Sequence, residues 1–323
     1  MKCELRKVQQ TTTGTYFVCL PREWAERHKL HKGDILSVYE AEEGRLFIDL
    51  ERDSAEPKTT TLNAGPNIGR DIISRYLLGF DVIHIVASER IDCASRQIIK
   101  ETAGSLVGLE IVEENSAQIM LQCLLDPSGF PPEKILCRNH AIVTSMNRDA
   151  LISFCTGDLT LAKNVIARDD ESNRLYFLLV RILRTLIQDF RFSAKLGIRP
   201  IDCLDYRIAA SLVEELGDIS VKIAKKTLSF DGYRLNESLQ KLLRSVSLLC
   251  QTAQEEALKS FINKDASMAQ NIRNLRAKAY AVYSEIEKLA KTQPPDMMPQ
   301  ILAVASYAVQ TFEYCVDLGD LVA

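Results

Sequence analysis

From residue 134 to the end of the sequence, apolar residues recur with a helical period of about 3.6, and no segment alternates apolar and polar residues as a half-buried strand does. Short segments rich in Gly, Pro, Asn and Asp interrupt this pattern. They lie at residues 156–158, 197–200, 230–232, 263–265 and 293–295. Because such segments end helices, the five interruptions predict six helices, which we expect to pack as bundles.

The interruptions recur with a shift of about 100 residues, which indicates an internal duplication. Asp158-x-x-x-Ala162 is echoed by Asp265-x-x-x-Ala269, and Leu216-Gly217-Asp218 is echoed by Leu318-Gly319-Asp320. The sequence therefore predicts two tandem three-helix units.

Residues 1–55 show a different pattern, that of short strands around one short helix. The strand segments are residues 5–9, 16–20, 35–39 and 46–50, and the helix begins at Pro21. Glu42-Glu43-Gly44 is a hairpin turn between the last two strands. The polar segment 51–61, which contains Pro57, is interpreted as a connector.

Residues 56–130 alternate between helical and extended patterns. Helices are predicted over residues 68–78 and 93–104, and strands over residues 82–86, 109–112 and 119–124. The fold class is therefore multi-domain α+β. Its predicted domains are a β module (1–55), a small α+β domain (56–130) and two three-helix units (131–230 and 231–323).

The charge and cysteine content narrow the classes of function. The formal net charge is −3 and the pI is about 5.9, so any DNA contact must come from a local basic patch. Nine cysteines, odd in number and without a C-x-x-C pair, favour a reducing compartment. No signal peptide or membrane-spanning segment is found. We expect a cytoplasmic protein without membrane insertion.

Four short motifs in residues 1–34 occur in a characteristic order: Arg6-Lys7-Val8-Gln9, Gly14-Thr15-Tyr16, Leu20-Pro21-Arg22-Glu23-Trp24-Ala25 and Leu30-His31-Lys32-Gly33-Asp34. This segment resembles the SpoVT/AbrB swapped-hairpin domain of transition-state regulators and antitoxins. The resemblance implies a homodimer in which two β-β-α-β-β arms interlock into one barrel. Dimerisation is physically reasonable, because a segment this short buries too little apolar surface to fold alone.

Charge is unevenly distributed within this segment. Residues 1–33 hold seven basic and three acidic residues, whereas residues 34–56 hold eight acidic residues and two arginines. Basic residues on a β-ribbon can contact DNA phosphates, and such contacts weaken steeply with salt. The candidate DNA contacts are Arg6, Lys7, Arg22, Arg27, Lys29 and Lys32. The alternative is that the module only dimerises the chain.

The helical half carries a second resemblance. Gly157-Asp158-x-x-x-Ala162, the run from Val165 through Asp169-Asp170-Glu171 to Leu175, and the later Glu214-Glu215-Leu216-Gly217-Asp218 resemble the PhoU phosphate-signalling regulators. Those proteins are built of two three-helix repeats. With its AbrB-like head and small α+β segment, the whole chain is similar to the long PhoU-domain proteins of archaea.

The acidic residues suggest a cation site. Glu214 and Asp218 share a helical face with small residues, and like charges four residues apart are destabilising unless a cation offsets them. Asp169 and Asp170 supply further oxygens, which hard or borderline cations prefer. The resemblance agrees, because PhoU proteins bind metal through E/D-x-x-x-D pairs. The alternative is a solvated acidic face or ion pairs to Arg174, Arg181 or Arg207.

The two repeats differ in their acids. Asn173 stands where the family commonly has another acid. In the second repeat Val316 replaces the acid expected four residues before Asp320, and Arg276 and Ala277 stand at the positions equivalent to Asp169 and Asp170. The acids that remain there are Asp317, Asp320 and Glu313, which lies on the Asp320 face two turns earlier. We expect a divalent or trivalent metal of unknown identity, held better in the first repeat. The candidate metal ligands are Asp169, Asp170, Glu214, Asp218, Asp317 and Asp320.

No sequence motif of a hydrolase, metalloprotease or nucleotide-binding enzyme is present, so no enzymatic activity is expected. The resemblance implies a regulator of phosphate uptake that docks onto the ATPase of the phosphate ABC transporter or onto a sensor kinase. Two alternatives remain open. One is a transcription factor whose helical half senses an effector, and the other is a protein adaptor whose β module is only a dimer clamp.

Overall fold

The structure, a computed structural model, describes residues 4–41, 44–50, 57–229 and 234–321. The chain divides into two compact units, Met1–Glu56 and Pro57–Ala323. Each unit is described by itself.

The first unit has the predicted order of strand, strand, helix, strand, strand. Strands β1 (Gln9–Gln10) and β2 (Tyr16–Phe17) pair antiparallel, helix α1 (Arg22–Arg27) follows, and β3 (Leu36–Ala41) pairs antiparallel with β4 (Arg45–Leu50). The first two strands are shorter than predicted. Of the predicted turn between β3 and β4, Glu42 and Glu43 lie outside the described residues.

This first unit has no core of its own within one protomer. No residue among 4–40 and 44–50 is buried. Val38 and Ile48 are cross-strand neighbours on one face of the β3–β4 hairpin, where they are 59% and 38% exposed, and Leu46 on the same face is 66% exposed. These three apolar side chains are therefore left open to solvent on one face of the hairpin.

A four-stranded sheet opens the second unit. Its strands are β5 (Thr59–Asn63), β6 (Val82–Val86), β7 (Leu109–Glu114) and β8 (Gln118–Cys123), in the spatial order β5-β6-β8-β7. Only the β5–β6 pair is parallel. Helices α2 (Ile68–Leu77) and α3 (Cys93–Gly104) contribute to the apolar core of this sheet.

Strand β5 corrects the prediction of a connector over residues 51–61. It is an edge strand with the sequence TTTLN, and Leu62 is its only buried residue. An edge strand with one apolar contact lacks the alternation by which strands are recognised. The other predicted helices and strands of residues 56–130 agree with the structure to within about two residues at each end.

The rest of the second unit is helical. In the part of this unit that the structure describes, six long helices are present as predicted: α4 (Pro132–Thr156), α5 (Leu159–Gln188), α7 (Asp202–Leu228), α8 (Glu237–Asn263), α9 (Ala266–Ala290) and α10 (Met298–Asp320). A short helix, α6 (Phe190–Leu196), separates α5 from α7 and was not predicted. Asp189 caps α6 by accepting a hydrogen bond from the backbone N–H of Arg191. The interruption predicted at residues 230–232 lies outside the described residues.

The predicted duplication is visible in how the long helices begin. Asp158 caps α5 by accepting from Leu161 N–H, and Asp265 caps α9 by accepting from Ser267 N–H. One continuous apolar core joins the two sets of helices, with α4 packed against α5, α7 and α8. Within the described residues, no helix combines the length and the apolar character needed to cross a membrane.

Arg181 of α5 connects the helices to the sheet. Its side chain is 6% exposed. Its guanidinium donates to the carbonyl oxygens of Tyr76 (2.8 Å) and Phe80 (2.9 Å) and pairs with Asp81 (3.1 Å). It also lies 4.9 Å from the centre of the Tyr76 ring. The candidate role of Arg181 as a partner of the acidic face is therefore wrong, because its buried guanidinium contacts Tyr76, Phe80 and Asp81 instead.

Candidate functional site

Helices α5 and α7 bring three of the predicted acids together. Asp169 lies on α5, and Glu214 and Asp218 lie one turn apart on α7. Between them is Gly217, where a Cβ atom would lie 3.4 Å from Val143 Cγ2 and 3.9 Å from Asp169 Oδ1. The small residue lets the helices approach closely and leaves the Asp169 carboxylate beside α7. We call Asp169, Glu214 and Asp218 the first acid cluster.

The carboxylates of this cluster repel one another. Burial raises the pKa of Asp169 above its usual value, and the charge of Asp218 raises it further. Burial also raises the pKa of Glu214, followed in effect by the charges of Asp218, Glu215 and Asp169. All three side chains are half-buried. The cluster is therefore a place where added positive charge would stabilise the folded protein.

The compensation that the chain itself provides is weak. The amide of Asn173 donates to Asp169 Oδ2 at 3.1 Å. The charge of Lys222 acts to lower the pKa of Glu214, and that of Lys225 acts to lower the pKa of Asp169, but neither prevents the rise. In the described part of the chain, no ion pair to any of the three carboxylates is formed within 4.0 Å.

Asp170 does not join the cluster. Successive helical residues are turned by about 100°, and Asp170 lies on the side of α5 that lines a groove of about 650 Å³ together with Glu171 and Arg138. There Arg138 Nη2 pairs with Glu171 Oε1 at 2.7 Å. Of the predicted acidic run, only Asp169 faces α7.

The donor set of the first acid cluster fits a hard cation, because it consists of carboxylate oxygens. It is not a closed metal centre, since in residues 4–41, 44–50, 57–229 and 234–321 no group of three or more His, Cys, Asp and Glu side chains is arranged to hold a metal ion. A cation here would share its coordination with water, as Mg²⁺ often does in proteins.

The second repeat has acids of a different kind. Glu313, Asp317 and Asp320 lie on α10 and are called the second acid cluster. Arg276 of α9 pairs with Glu313 Oε2 at 3.0 Å, and Arg273 pairs with Asp320 Oδ1 at 2.5 Å. Burial, with the charges of Glu313 and Asp320, raises the pKa of Asp317, and Arg276 opposes that rise. Here arginines supply the positive charge that the first acid cluster lacks.

The contacts between helices also change how the repeats correspond. The Leu-Gly-Asp echo predicts that Val316 and Asp320 match Glu214 and Asp218. In the structure, however, Glu313-x-x-x-Asp317 faces Arg276, just as Glu214-x-x-x-Asp218 faces Asp169. The identical E-x-x-x-D spacing was the available signal, and the prediction missed it by aligning on glycine.

The two clusters are linked across the repeats. Tyr314, adjacent to Glu313, donates from its hydroxyl to Glu215 Oε2 at 3.3 Å, and Glu215 is adjacent to Glu214. The third helices of the two repeats, α7 and α10, therefore contact each other close to both clusters.

Replacing Asp169 with asparagine is expected to stabilise the metal-free protein at pH 7. Because the folded-state pKa is raised, the ionised carboxylate destabilises the folded chain above that pKa, and the effect disappears as the pH falls below the usual value of 3.8. Thermal unfolding in chelator should therefore show a higher midpoint for Asp169→Asn at pH 7 and a shrinking difference towards pH 4. Asp170→Asn, exposed on the other side of α5, is the control. A lower midpoint for Asp169→Asn at pH 7 would contradict this account.

The six candidate DNA contacts all lie on the surface of the first unit. Arg22 pairs with Glu26 along α1 at 2.7 Å, and Arg6 contacts Glu4. Pairs this exposed contribute little to stability. The other four candidate DNA contacts are Lys7, Arg27, Lys29 and Lys32.

Residues 136–227 match the family model of the PhoU domain. PhoU from Pseudomonas aeruginosa is similar in structure with a TM-score of 0.51 and 17% sequence identity, over 59% of this chain and 93% of that chain. PhoU from Streptococcus pneumoniae, titled a phosphate transport system regulatory protein, gives a TM-score of 0.49 at 19% identity, over 59% of this chain and 91% of that chain. Comparison with curated protein sequences gives no match. The chain thus has a PhoU-like helical fold.

Proposed function

We propose that this protein is a cytoplasmic, non-catalytic regulator of phosphate uptake and phosphate homeostasis. One observation carries the proposal: the segment matched by the PhoU domain, residues 136–227, contains the entire first acid cluster. The repeat that matches the PhoU domain is therefore also the repeat whose carboxylates form no ion pairs with the described residues. The name of the similar Streptococcus pneumoniae protein, a phosphate transport system regulator, points to the same process.

The proposed ligand of the first acid cluster is a divalent or trivalent metal ion. The carboxylates of Asp169, Glu214 and Asp218 would bind it partly through coordinated water, because the three side chains do not form a closed metal centre. Its charge would relieve the repulsion that raises the pKa values of Asp169 and Glu214. What the metal supplies is positive charge between α5 and α7. The protein itself keeps α5 and α7 close together at Gly217 and, among the described residues, leaves these carboxylates without ion pairs.

The proposed assembly is a homodimer formed through the first unit. Its support is the absence of any buried residue among residues 4–40 and 44–50, together with the apolar face that includes Val38, Leu46 and Ile48. A second copy of the same hairpin presents the same apolar face, so a two-fold interface would cover both. This arrangement is the one implied by the resemblance of the segment to swapped-hairpin domains.

The proposed partners are proteins and, through the first unit, promoter DNA. In a dimer, the exposed basic residues such as Arg6 and Lys7 would be present twice, which doubles the number of phosphate contacts. The helical surface would dock onto the ATPase of the phosphate ABC transporter or onto a sensor kinase. Docking would restrain uptake when phosphate is plentiful.

The proposal is tested in cells of the source organism grown in high and in low phosphate. We expect deletion of the gene to raise uptake of radiolabelled phosphate in high phosphate, and affinity purification of the full-length protein to recover the transporter ATPase or a sensor kinase. Unchanged uptake in the deletion strain would contradict the proposal.

DNA recovered in the same purification separates the alternatives. Promoter DNA without a protein partner would indicate a transcription factor. Transporter or kinase subunits, with no DNA bound even at about 50 mM salt, where phosphate contacts are strong, would indicate an adaptor whose first unit is a dimer clamp. A matched variant, Arg6→Glu/Lys7→Glu, should remove the DNA and leave the protein partner.

A further inference from the structure

We propose that Arg276, assisted by Arg273, is a permanent internal cation of the second repeat, so that the second acid cluster takes no metal ion and the chain holds metal in its first repeat alone. The metal-binding half of this inference rests on the proposed function. The inference also replaces the prediction that Asp317 and Asp320 are metal ligands.

The geometry begins with the equivalence of the two helix pairs. Asp169 of α5 lies opposite the Glu214–Asp218 pair of α7. Arg276 of α9 lies opposite the Glu313–Asp317 pair of α10. A carboxylate in the first repeat is thus replaced by a guanidinium in the second, and the sign of the charge that faces the acid pair is reversed.

The oxygens of Glu313 are already engaged. Arg276 Nη1 donates to Oε2 at 3.0 Å, and the hydroxyl of Tyr280 donates to Oε1 at 3.0 Å. A metal ion would compete with both donors for the lone pairs of these oxygens and would lie beside a guanidinium that stays protonated at any physiological pH. The first acid cluster presents neither obstacle, because the one hydrogen-bond donor that it receives from the described residues is the neutral amide of Asn173.

Asp320 is held in the same way. Arg273, one turn before Arg276 on α9, pairs with its Oδ1 at 2.5 Å. Asp317 lies between the two ion pairs, and the charge of Arg276 opposes the rise of its pKa. The three acids of the second acid cluster therefore face two arginines, a balance that leaves little charge for a metal ion to neutralise.

The two repeats would therefore respond differently to metal. The state of the first repeat would change with metal, because its acids repel one another without it. The second repeat would stay closed by its own ion pairs. The hydrogen bond from Tyr314 to Glu215 places this constant element next to the variable one.

The chelator-stripped, full-length protein is titrated with Mn²⁺, and binding is measured by calorimetry. The metal content is then measured by elemental analysis after gel filtration. We expect one Mn²⁺ per chain in the wild type and in Asp317→Asn/Asp320→Asn, and none in Glu214→Gln/Asp218→Asn. Loss of Mn²⁺ in Asp317→Asn/Asp320→Asn would overturn the inference, because it would make those acids the ligands.

The role of the arginines is tested separately, in the background of Glu214→Gln/Asp218→Asn. Adding Arg273→Gln/Arg276→Gln should create Mn²⁺ binding at least tenfold tighter than in the background, and Mn²⁺ should raise the thermal unfolding midpoint that the lost ion pairs had lowered. Adding Lys278→Gln/Lys288→Gln, two exposed basic residues of the same helix, controls for the change in net charge. Equal Mn²⁺ affinity in the arginine variant and in the lysine control would overturn the inference.

The two experiments test the metal proposal for the first repeat separately from the role of Arg273 and Arg276. If the wild type binds no Mn²⁺, the metal proposal for the first repeat fails. The arginine variant still decides whether Arg273 and Arg276 stand in for a cation, because it is measured where the first repeat has no acid pair.

Discussion

Replacing Arg181 with methionine should lower the free energy of unfolding by about 3 kcal/mol, the low end of the range for breaking a buried, hydrogen-bonded ion pair. The guanidinium is almost fully buried and donates to the carbonyl oxygens of Tyr76 and Phe80. Methionine keeps much of the apolar stem but supplies no donor, so both carbonyls lose a partner. The low end applies because the ion-pair partner, Asp81, is 43% exposed and can be solvated.

The measurement is urea-induced unfolding followed by far-UV circular dichroism. Arg184→Met is the matched control, because Arg184 lies on the same helix and is exposed; its effect should stay within about 0.5 kcal/mol. If both variants unfold at the same urea concentration, Arg181 does not hold the sheet to the helices.

The second large effect concerns the first unit, where Val38→Lys/Ile48→Lys should convert a dimer into a monomer. The two residues are direct cross-strand neighbours on an apolar face that is open in one protomer. Two lysines at the centre of a self-complementary interface would meet two more across the two-fold axis. Burying these charges without partners is expected to weaken dimerisation at least about 100-fold, which corresponds to roughly 2.7 kcal/mol.

Light scattering coupled to gel filtration measures this directly. The wild type should show about twice the chain mass of 36.3 kDa, and the variant should show the mass of one chain. The control is Ser37→Lys/Asp49→Lys, the neighbouring cross-strand pair on the other face of the same hairpin. A wild type that elutes as a monomer, or a Val38→Lys/Ile48→Lys protein that stays dimeric, would contradict the proposed assembly.

The sequence predicted best those helices and strands whose boundaries are set by residues close by in the chain. The end of α4 follows from Gly157 in the left-handed conformation, and the start of α5 follows from the Asp158 cap. Both signals lie within a few residues of the boundary that they determine. Strand β5 was missed because its pairing with β6, and not its own pattern, makes it a strand.

The same distinction applies to the candidate site. That Glu214 and Asp218 share a face is a property of any helix with this spacing. That Asp169 faces them while Asp170 lines a groove depends on how α5 is rotated against its neighbours. Asp170 was therefore predicted as a ligand on proximity in sequence alone, and the structure places it elsewhere.

Helix periodicity, caps and interruptions in the sequence alone predicted the six long helices that are found among the described residues. The tertiary structure alone decided which charges meet: acid with acid between α5 and α7, and arginine with acid between α9 and α10. The physical reason is range. A cap or a helical face is set by neighbours within one or two turns, whereas the register between two packed helices is set by the whole of their contact surface.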